Sequence, residues 1–343
     1  MKALVKTKVG VGNVELLDIP EPTPKENEVK IKVKACGICG TDIHVLHNTT
    51  ELAAGVTLGH EFTGVVSEVG SKVKHFKPGD RVVATTTVWS CGECLYCQNG
   101  DVNICPTRKG MGRTGNGAFA EYIVLKEELV FNLPDNVDFI SGTLCEPLGC
   151  TVHGCIETVP IIAGDVAVVI GPGAIGLLAT QLAKAQGAKV ILCGTNVDAD
   201  RLELGKKLGA DVVINVQTEN AVEIVRGLTA GLGADVVIEC SGAASAARMG
   251  FDLIRKQGAF LQMGLFGKPI EIDFQLVTTK ELKVYGSVNS KWTTWTTMMR
   301  LLERGLVQTR DLVTDILPLS QWKTGFDKHE KREGIKIVLI PGE

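Results

Sequence analysis

Four cysteines carry the strongest chemical signal in this 343-residue chain: Cys91-x2-Cys94-x2-Cys97-x7-Cys105, packed into fifteen positions. Thiolates are soft donors. Four of them at this spacing, in a loop that holds Gly92 and Gly100, suit a closed tetrahedral zinc site with a structural role. An iron–sulfur cluster is the smaller alternative, because its usual cysteine runs are spaced differently. A second set is scattered: Cys39-Gly40-Thr41-Asp42-Ile43-His44, then Gly59-His60-Glu61, then Cys145-Glu146-Pro147. Each piece alone is ordinary, and a His beside a Glu is usually a satisfied polar pair. Together they offer thiolate, imidazole and carboxylate, the mixed donor set of a catalytic zinc with one open position. Cys145, next to Glu146, reads as a competing ligand or as a buried thiol.

The third signal is Gly171-Pro172-Gly173-Ala174-Ile175-Gly176, which directly follows the apolar run Val168-Val169-Ile170 and opens a helical stretch. This is the G-x-G-x-x-G pattern of a dinucleotide loop. The first glycine permits the tight turn, the second lets backbone approach a pyrophosphate at the helix N-terminus, and the third lets helix and strand pack closely. About 20 residues on, an acidic residue normally ends the second strand and binds the ribose hydroxyls. Here the segment reads Cys193-Gly194-Thr195-Asn196, with Asp198 and Asp200 only later. The small Gly194-Thr195 pair leaves room for a 2′-phosphate that Arg201 could meet; the other reading of Arg201 is a solvated helix residue. The cofactor is therefore NAD(H) or NADP(H).

These residues need elements to hold them. Up to about residue 145, short β-type runs (Val29–Ala35, Phe62–Val69, Arg81–Thr85, Phe119–Leu125) alternate with turn chemistry such as Lys77-Pro78-Gly79-Asp80. That predicts an irregular, mostly antiparallel β domain. From Ala163, six apolar strands near 166–170, 189–193, 212–215, 235–239, 259–263 and 283–287 alternate with helices such as Ala174–Gln186 and Arg201–Leu208. Such alternation predicts a parallel, doubly wound sheet. One further helix, Thr293–Glu303, precedes a β-rich tail ending in Ile335–Ile340, which is expected to return to the first domain.

Bulk properties narrow the function. Net charge is −3, with 45% hydrophobic and 22% charged residues, so a packed core is expected and neither nucleic acid nor a membrane surface is an expected partner. The longest apolar runs are strand-length, and the N-terminus lacks the apolar core of a signal peptide. The expected location is the cytoplasm, where the eleven cysteines would be thiols or metal ligands rather than disulfides.

Taken together, the motifs Gly37-Ile38-Cys39-Gly40-Thr41-Asp42-Ile43-His44, Gly59-His60-Glu61-Phe62-Thr63-Gly64, the four-cysteine lobe, Glu146-Pro147-Leu148 and Gly171–Gly176 occur in the order of a known family. The chain resembles the zinc-containing medium-chain dehydrogenases/reductases, which include alcohol, sorbitol and threonine dehydrogenases. The resemblance implies an α/β fold: a GroES-like, mostly-β catalytic domain (residues 1–147 and 288–343) and a doubly wound Rossmann coenzyme domain (148–287). It implies two zinc ions per chain. Cys39 and His60 would hold the catalytic ion. Glu61 would be a ligand in some states or a neighbour that lets ligands exchange, and Glu146 would fill the remaining position directly or through water. Asp42 would orient the ligand histidine, and Thr41 and His44 would relay a proton. Cys91, Cys94, Cys97 and Cys105 would hold the structural ion. The implied reaction interconverts a secondary alcohol and a ketone, with hydride passing to or from the nicotinamide; the implied assembly is a homodimer or homotetramer.

Glu146-Pro147-Leu148 is similar to the polyol branch, and Thr107-Arg108-Lys109-Gly110 with Asp198–Leu202 is similar to the arabitol-phosphate dehydrogenases. The expected substrate is a polyol or polyol phosphate. The segment Val45-Leu46-His47 lacks the tyrosine that sorbitol dehydrogenases place near the substrate. Arg108, Lys109 and Arg113 would meet a substrate phosphate or form a solvated basic turn. The same chemistry on threonine, a vicinal diol or a simple secondary alcohol is the alternative. A noncatalytic dinucleotide-binding relative is the remote one.

Overall fold

The computed structural model describes residues 1–50 and 52–342. The chain forms two compact units: Met1–Gly149 with Ser290–Arg304 and Thr309–Glu343, and Cys150–Asn289 with Gly305–Gln308.

In the first unit, the segment Glu28–Gly37 shows why a β domain forms. Val29, Ile31 and Val33 are buried while Lys30, Lys32 and Lys34 are not, the two-residue period of a half-buried strand. It lies within a seven-stranded sheet ordered Val130–Asn132, Arg81–Ala84, Glu61–Val69, Glu28–Gly37, Lys336–Ile340, Val313–Pro318, and it also pairs with Tyr122–Lys126. Pairing is antiparallel except between Val313–Pro318 and Lys336–Ile340. The buried face packs Ile31, Val33, Phe62, Val66, Phe119, Trp322 and Phe326 into one core. Two register slips in the pairing of Glu28–Gly37 with Glu61–Val69 bring Gly37 opposite Glu61; bulges of this kind re-aim side chains beside sites.

The run expected at Phe119–Leu125 starts later as a strand, at Tyr122. Phe119 and Ala120 cross to other partners instead: the Phe119 N–H donates to the Leu58 carbonyl (2.8 Å), and Ala3 bridges Ala120. A three-stranded sheet (Val14–Asp18, Lys2–Lys6, Val56–Thr57) and a two-stranded one (Thr87–Trp89, Lys109–Gly110) complete the unit's strands.

The second unit is a six-stranded sheet ordered Val212–Asn215, Lys189–Gly194, Val166–Ile170, Ala234–Glu239, Ile254–Gln262, Lys283–Gly286. Every pairing is parallel. Parallel strands are covered on both faces, so their sequences are continuously apolar; Ala167, Val168 and Val169 have no exposed surface. The fifth strand begins before the expected 259, because Ile254 already pairs with Ala234 ahead of a register shift. Strand order reverses at Val166–Ile170, the mark of a doubly wound sheet. No helix among the described residues is long and apolar enough to cross a membrane.

Candidate functional site

The four-cysteine lobe is laid out by backbone. The Cys94 N–H donates to Cys91 Sγ at 3.3 Å and the Cys97 N–H to Cys94 Sγ at 3.5 Å, so each turn of chain aims a sulfur inward. Cys91 Sγ lies 3.8 Å from Cys97 Sγ and 3.7 Å from Cys105 Sγ. Zinc–sulfur bonds of about 2.3 Å in a tetrahedron set sulfurs about 3.8 Å apart, so the cage has the dimensions of the ion. Hydrogen bonding from backbone, first from Cys91, outweighs burial and draws the Cys105 thiol down to about 6. Cys94 moves the other way, to about 11: the Cys97 N–H lowers it, but burial and the neighbouring sulfurs win. Sulfurs this close compete for negative charge, and a divalent cation removes the conflict.

The mixed set converges in the first unit. Donor atoms of Cys39, His60 and Glu61 all lie within 4.8 Å of one another. Cys39 precedes the helix Gly40–Leu46, and its N–H donates to Asp42 Oδ2 at 2.9 Å. Asp42 Oδ1 faces His60 Nδ1 at 3.7 Å, and both atoms are buried with no hydrogen-bond partner. Facing Nδ1 toward this carboxylate leaves Nε2 as the donor for a metal. Ile38 and Leu58, neither with any exposed surface, anchor the two ligand segments; each such side chain contributes about 1.5–3 kcal/mol by burial.

Charge in this pocket is lopsided. Burial alone would keep His60 neutral, yet Asp42, Cys39 and Glu146 push its pKa up to about 10. Glu146, on the first turn of the helix Cys145–Val152, is buried and acts on both His60 and Lys336. The three anionic side chains around His60 favour positive charge in this pocket. Cys145 lies outside the convergent set, and burial lifts its thiol to about 12.

Glu61 has a partner that sequence reading missed. Lys336 Nζ contacts Glu61 Oε2 and donates to the Ile38 carbonyl at 3.0 Å. Burial opposes the lysine's charge, but Glu61, Cys39 and Glu146 outweigh it and raise its pKa. Gly37 makes the contact possible, because a Cβ there would lie 2.5 Å from Glu61 Oε2. The one available signal was a lysine heading the apolar run Ile337-Val338-Leu339-Ile340. Thr41 Oγ1 lies 3.7 Å from Cys39 Sγ, and the exposed His44, one turn on, bonds through Nδ1 to Thr49 Oγ1 at 3.0 Å. Arg108 Nε donates to Thr87 Oγ1 at 2.8 Å, and Lys109 sits over the Trp89 ring. The Arg113 carbonyl accepts from the Ala53 N–H at 2.8 Å.

In the second unit the loop Gly171–Gly176 joins Val166–Ile170 to the helix Ala174–Ala185. Gly171 has φ +98°, a Cβ on Gly176 would lie 1.9 Å from the Gly171 carbonyl oxygen, and nothing lies within 4 Å of a Cβ on Gly173. The open space falls where a pyrophosphate would approach backbone. Pro172 is buried and Ala174 and Ile175 are half-buried; Gly194 packs against Pro172. Thr195 donates through N–H (3.0 Å) and hydroxyl (2.8 Å) to Asp198 Oδ2, while Arg201 pairs with Asp198 Oδ1 at 3.1 Å. Asp198 therefore caps the following turn, and the strand exit is neutral.

Comparison with known proteins agrees with this geometry. Residues 25–135 match the model of the alcohol dehydrogenase GroES-like domain, and residues 174–304 that of zinc-binding dehydrogenases. The chain is 45% identical to a sorbitol dehydrogenase of Halalkalibacterium halodurans, covering 99% of each chain. It is 38% identical to a D-arabitol-phosphate dehydrogenase of Enterococcus avium, covering 99% of this chain and 97% of that one. Among solved structures, a putative zinc-binding dehydrogenase from Sinorhizobium meliloti bound to NADP superposes with a TM-score of 0.92 at 33% identity, covering 99% of both chains. With donors grouped as a zinc enzyme requires and relatives spanning its whole length, this chain belongs to the family of zinc-binding medium-chain alcohol dehydrogenases.

Proposed function

We propose that the protein transfers hydride between a secondary alcohol of a polyol or polyol phosphate, of the sorbitol or arabitol-phosphate type, and NAD(H) or NADP(H). The observation that carries this is the convergence of Cys39, His60 and Glu61 within 4.8 Å in a buried pocket that favours positive charge. The names of the two relatives above support the substrate class. Cys39 and His60 would hold the catalytic zinc, with Glu146 directly or through water and Glu61 as a ligand in some states or a neighbour that lets ligands exchange; Cys91, Cys94, Cys97 and Cys105 would hold the structural one. When bound, the catalytic ion supplies Lewis acidity toward a substrate oxygen.

The protein's own groups do the rest. Asp42 fixes the face that His60 presents, and Lys336 holds Glu61 in reserve beside the ligand set. Thr41 and His44 carry the substrate's hydroxyl proton from the buried pocket to the surface. Gly171, Pro172, Gly173, Ala174, Ile175 and Gly176 seat the dinucleotide's pyrophosphate. Gly194 and Thr195 would lie beside the adenosine ribose. No acid ends the strand itself, and the Asp198 carboxylate just beyond it is paired with Arg201, so NADP(H) is proposed alongside NAD(H). The catalytic role falls to residues 1–147 and 288–343 and the dinucleotide to 148–287. The setting proposed is the cytoplasm, with which eleven free thiols are consistent, and the assembly proposed is a homodimer or homotetramer.

The test is a screen of sorbitol, arabitol, their phosphates, threonine and 2,3-butanediol with both cofactors, read by reduced-nicotinamide absorbance. A polyol or polyol phosphate should exceed threonine and butanediol in kcat/KM by about tenfold or more. Preference for threonine or the diol, or no turnover by zinc-loaded protein, would overturn the reading.

A further inference from the structure

Glu239 ends the Ala234–Glu239 strand with no exposed surface. Its carboxylate accepts from the Ser241 N–H (2.8 Å), the Ser241 hydroxyl, the Gly242 N–H (3.1 Å) and Gln262 Nε2 (2.6 Å). Its backbone carbonyl accepts from the N–H groups of Met263 (2.9 Å) and Gly264 (3.0 Å). Backbone and amide N–H groups can only donate, so the carboxyl oxygens serve as acceptors in these contacts. Burying a carboxylate is costly unless it is hydrogen-bonded, and here both oxygens are.

Its position says what that geometry serves. The strand lies beside Val166–Ile170, with Glu239 in register with Ile170, on the side away from Lys189–Gly194. Its carboxyl end is therefore at the reversal of strand order, where open α/β sheets bind their ligands. The segments that Glu239 grips meet the dinucleotide loop: a Cβ on Gly171 would lie 2.7 Å from Ser241 Cβ. They also interlock with each other, since a Cβ on Gly264 would lie 2.2 Å from Gly242 N and 2.5 Å from Glu239 Oε2. One carboxylate thus ties the exits of two neighbouring strands and backs the turn at Gly171.

We infer that Glu239 is a positioning residue for the dinucleotide: it fixes the Gly171 turn and the segments after Glu239 and Gln262 against one another, and so the strand-end surface over which the cofactor would lie. This rests on the dinucleotide reading above. The test compares wild type, Glu239→Gln and Gln262→Leu for zinc content, thermal midpoint, and Kd for NAD+, NADP+ and NADH without substrate. In Glu239→Gln the new NH2 must face existing donors whichever way the amide turns. Kd should rise about tenfold or more for the dinucleotide that wild type prefers, since hydrogen bonds to a charged group are the strong ones. Zinc content should be unchanged, and cofactor KM should rise while substrate KM does not. Gln262→Leu, which leaves the carboxylate in place, should raise Kd about threefold and stands in if Glu239→Gln does not fold. Unchanged Kd in the variants, with only a lower thermal midpoint, would make Glu239 a structural strap and overturn the inference. If wild type itself bound no dinucleotide, the reading beneath it would fall instead.

Discussion

Lys336 and Glu61 are each almost fully buried and face one another beside the metal-ligating set. Removing one member of a buried pair strands the other charge, at about 3–5 kcal/mol, whereas removing both costs far less. Lys336→Met should therefore lower stability by about that amount in urea titrations, and a second change, Glu61→Gln, should recover most of it. The ligands themselves should separate by severity. Asp42→Asn removes the charge that faces His60 and accepts from the Cys39 N–H, and should cost roughly 10–100-fold in zinc affinity or turnover. Cys39→Ser removes a donor outright: zinc should fall from about two to about one per chain, turnover should fall further than in Asp42→Asn, and dinucleotide Kd should stay at the wild-type value. Elemental analysis and titration calorimetry check both.

At the level of elements, the turn before the helix that carries Glu146 depends on one side chain. Asp138 accepts from the N–H groups of Ile140 (2.8 Å) and Ser141 (2.9 Å) and from the Ser141 hydroxyl (2.5 Å). Burial resists its ionisation, but these donors prevail and hold its pKa below the ordinary value. A depressed carboxylate stabilises the fold above its unfolded pKa, and that contribution is lost as pH falls through the folded value. Asp138→Ala should thus cost about 1 kcal/mol near neutral pH, and the two denaturation curves should converge as pH falls through the lowered pKa of Asp138. In the second unit, Gly176→Ala would place a methyl 1.9 Å from the Gly171 carbonyl oxygen. The helix must shift, so dinucleotide Kd should rise by about tenfold or more while zinc content holds. Unaltered binding would mean that the loop does not seat the cofactor. Elements of this kind were legible where periodicity is strict, as in the alternating Val29–Lys34 run and the apolar Val166–Ile170 strand. They were less so at Phe119–Glu121, where apolar character serves a crossing between sheets rather than a ladder.

Across the whole molecule, what the sequence disclosed depended on range. The four-cysteine lobe is local chemistry with fixed spacing, and its sulfurs do meet. Cys39 and His60 are only twenty-one positions apart, and each sits in a motif that announces its chemistry. Lys336 is 275 positions from Glu61, and only the completed sheet, with Lys336–Ile340 laid on Glu28–Gly37, brings it there. Glu239 was hidden for another reason: an acid at a strand end looks the same whether it is solvated or, as here, sealed in and gripped by its neighbours.

The short gaps in the lobe carry one more consequence. Sulfurs 3.7 and 3.8 Å apart, one of them with its pKa drawn down to about 6, are poised for oxidative cross-linking whenever no ion shields them. Chelation followed by exposure to air should then inactivate the protein in two stages, the first reversed by adding zinc and the second only by a reductant followed by zinc. Thiol titration along the time course would date the change from one stage to the next, so for this chain the ion is also a preservative.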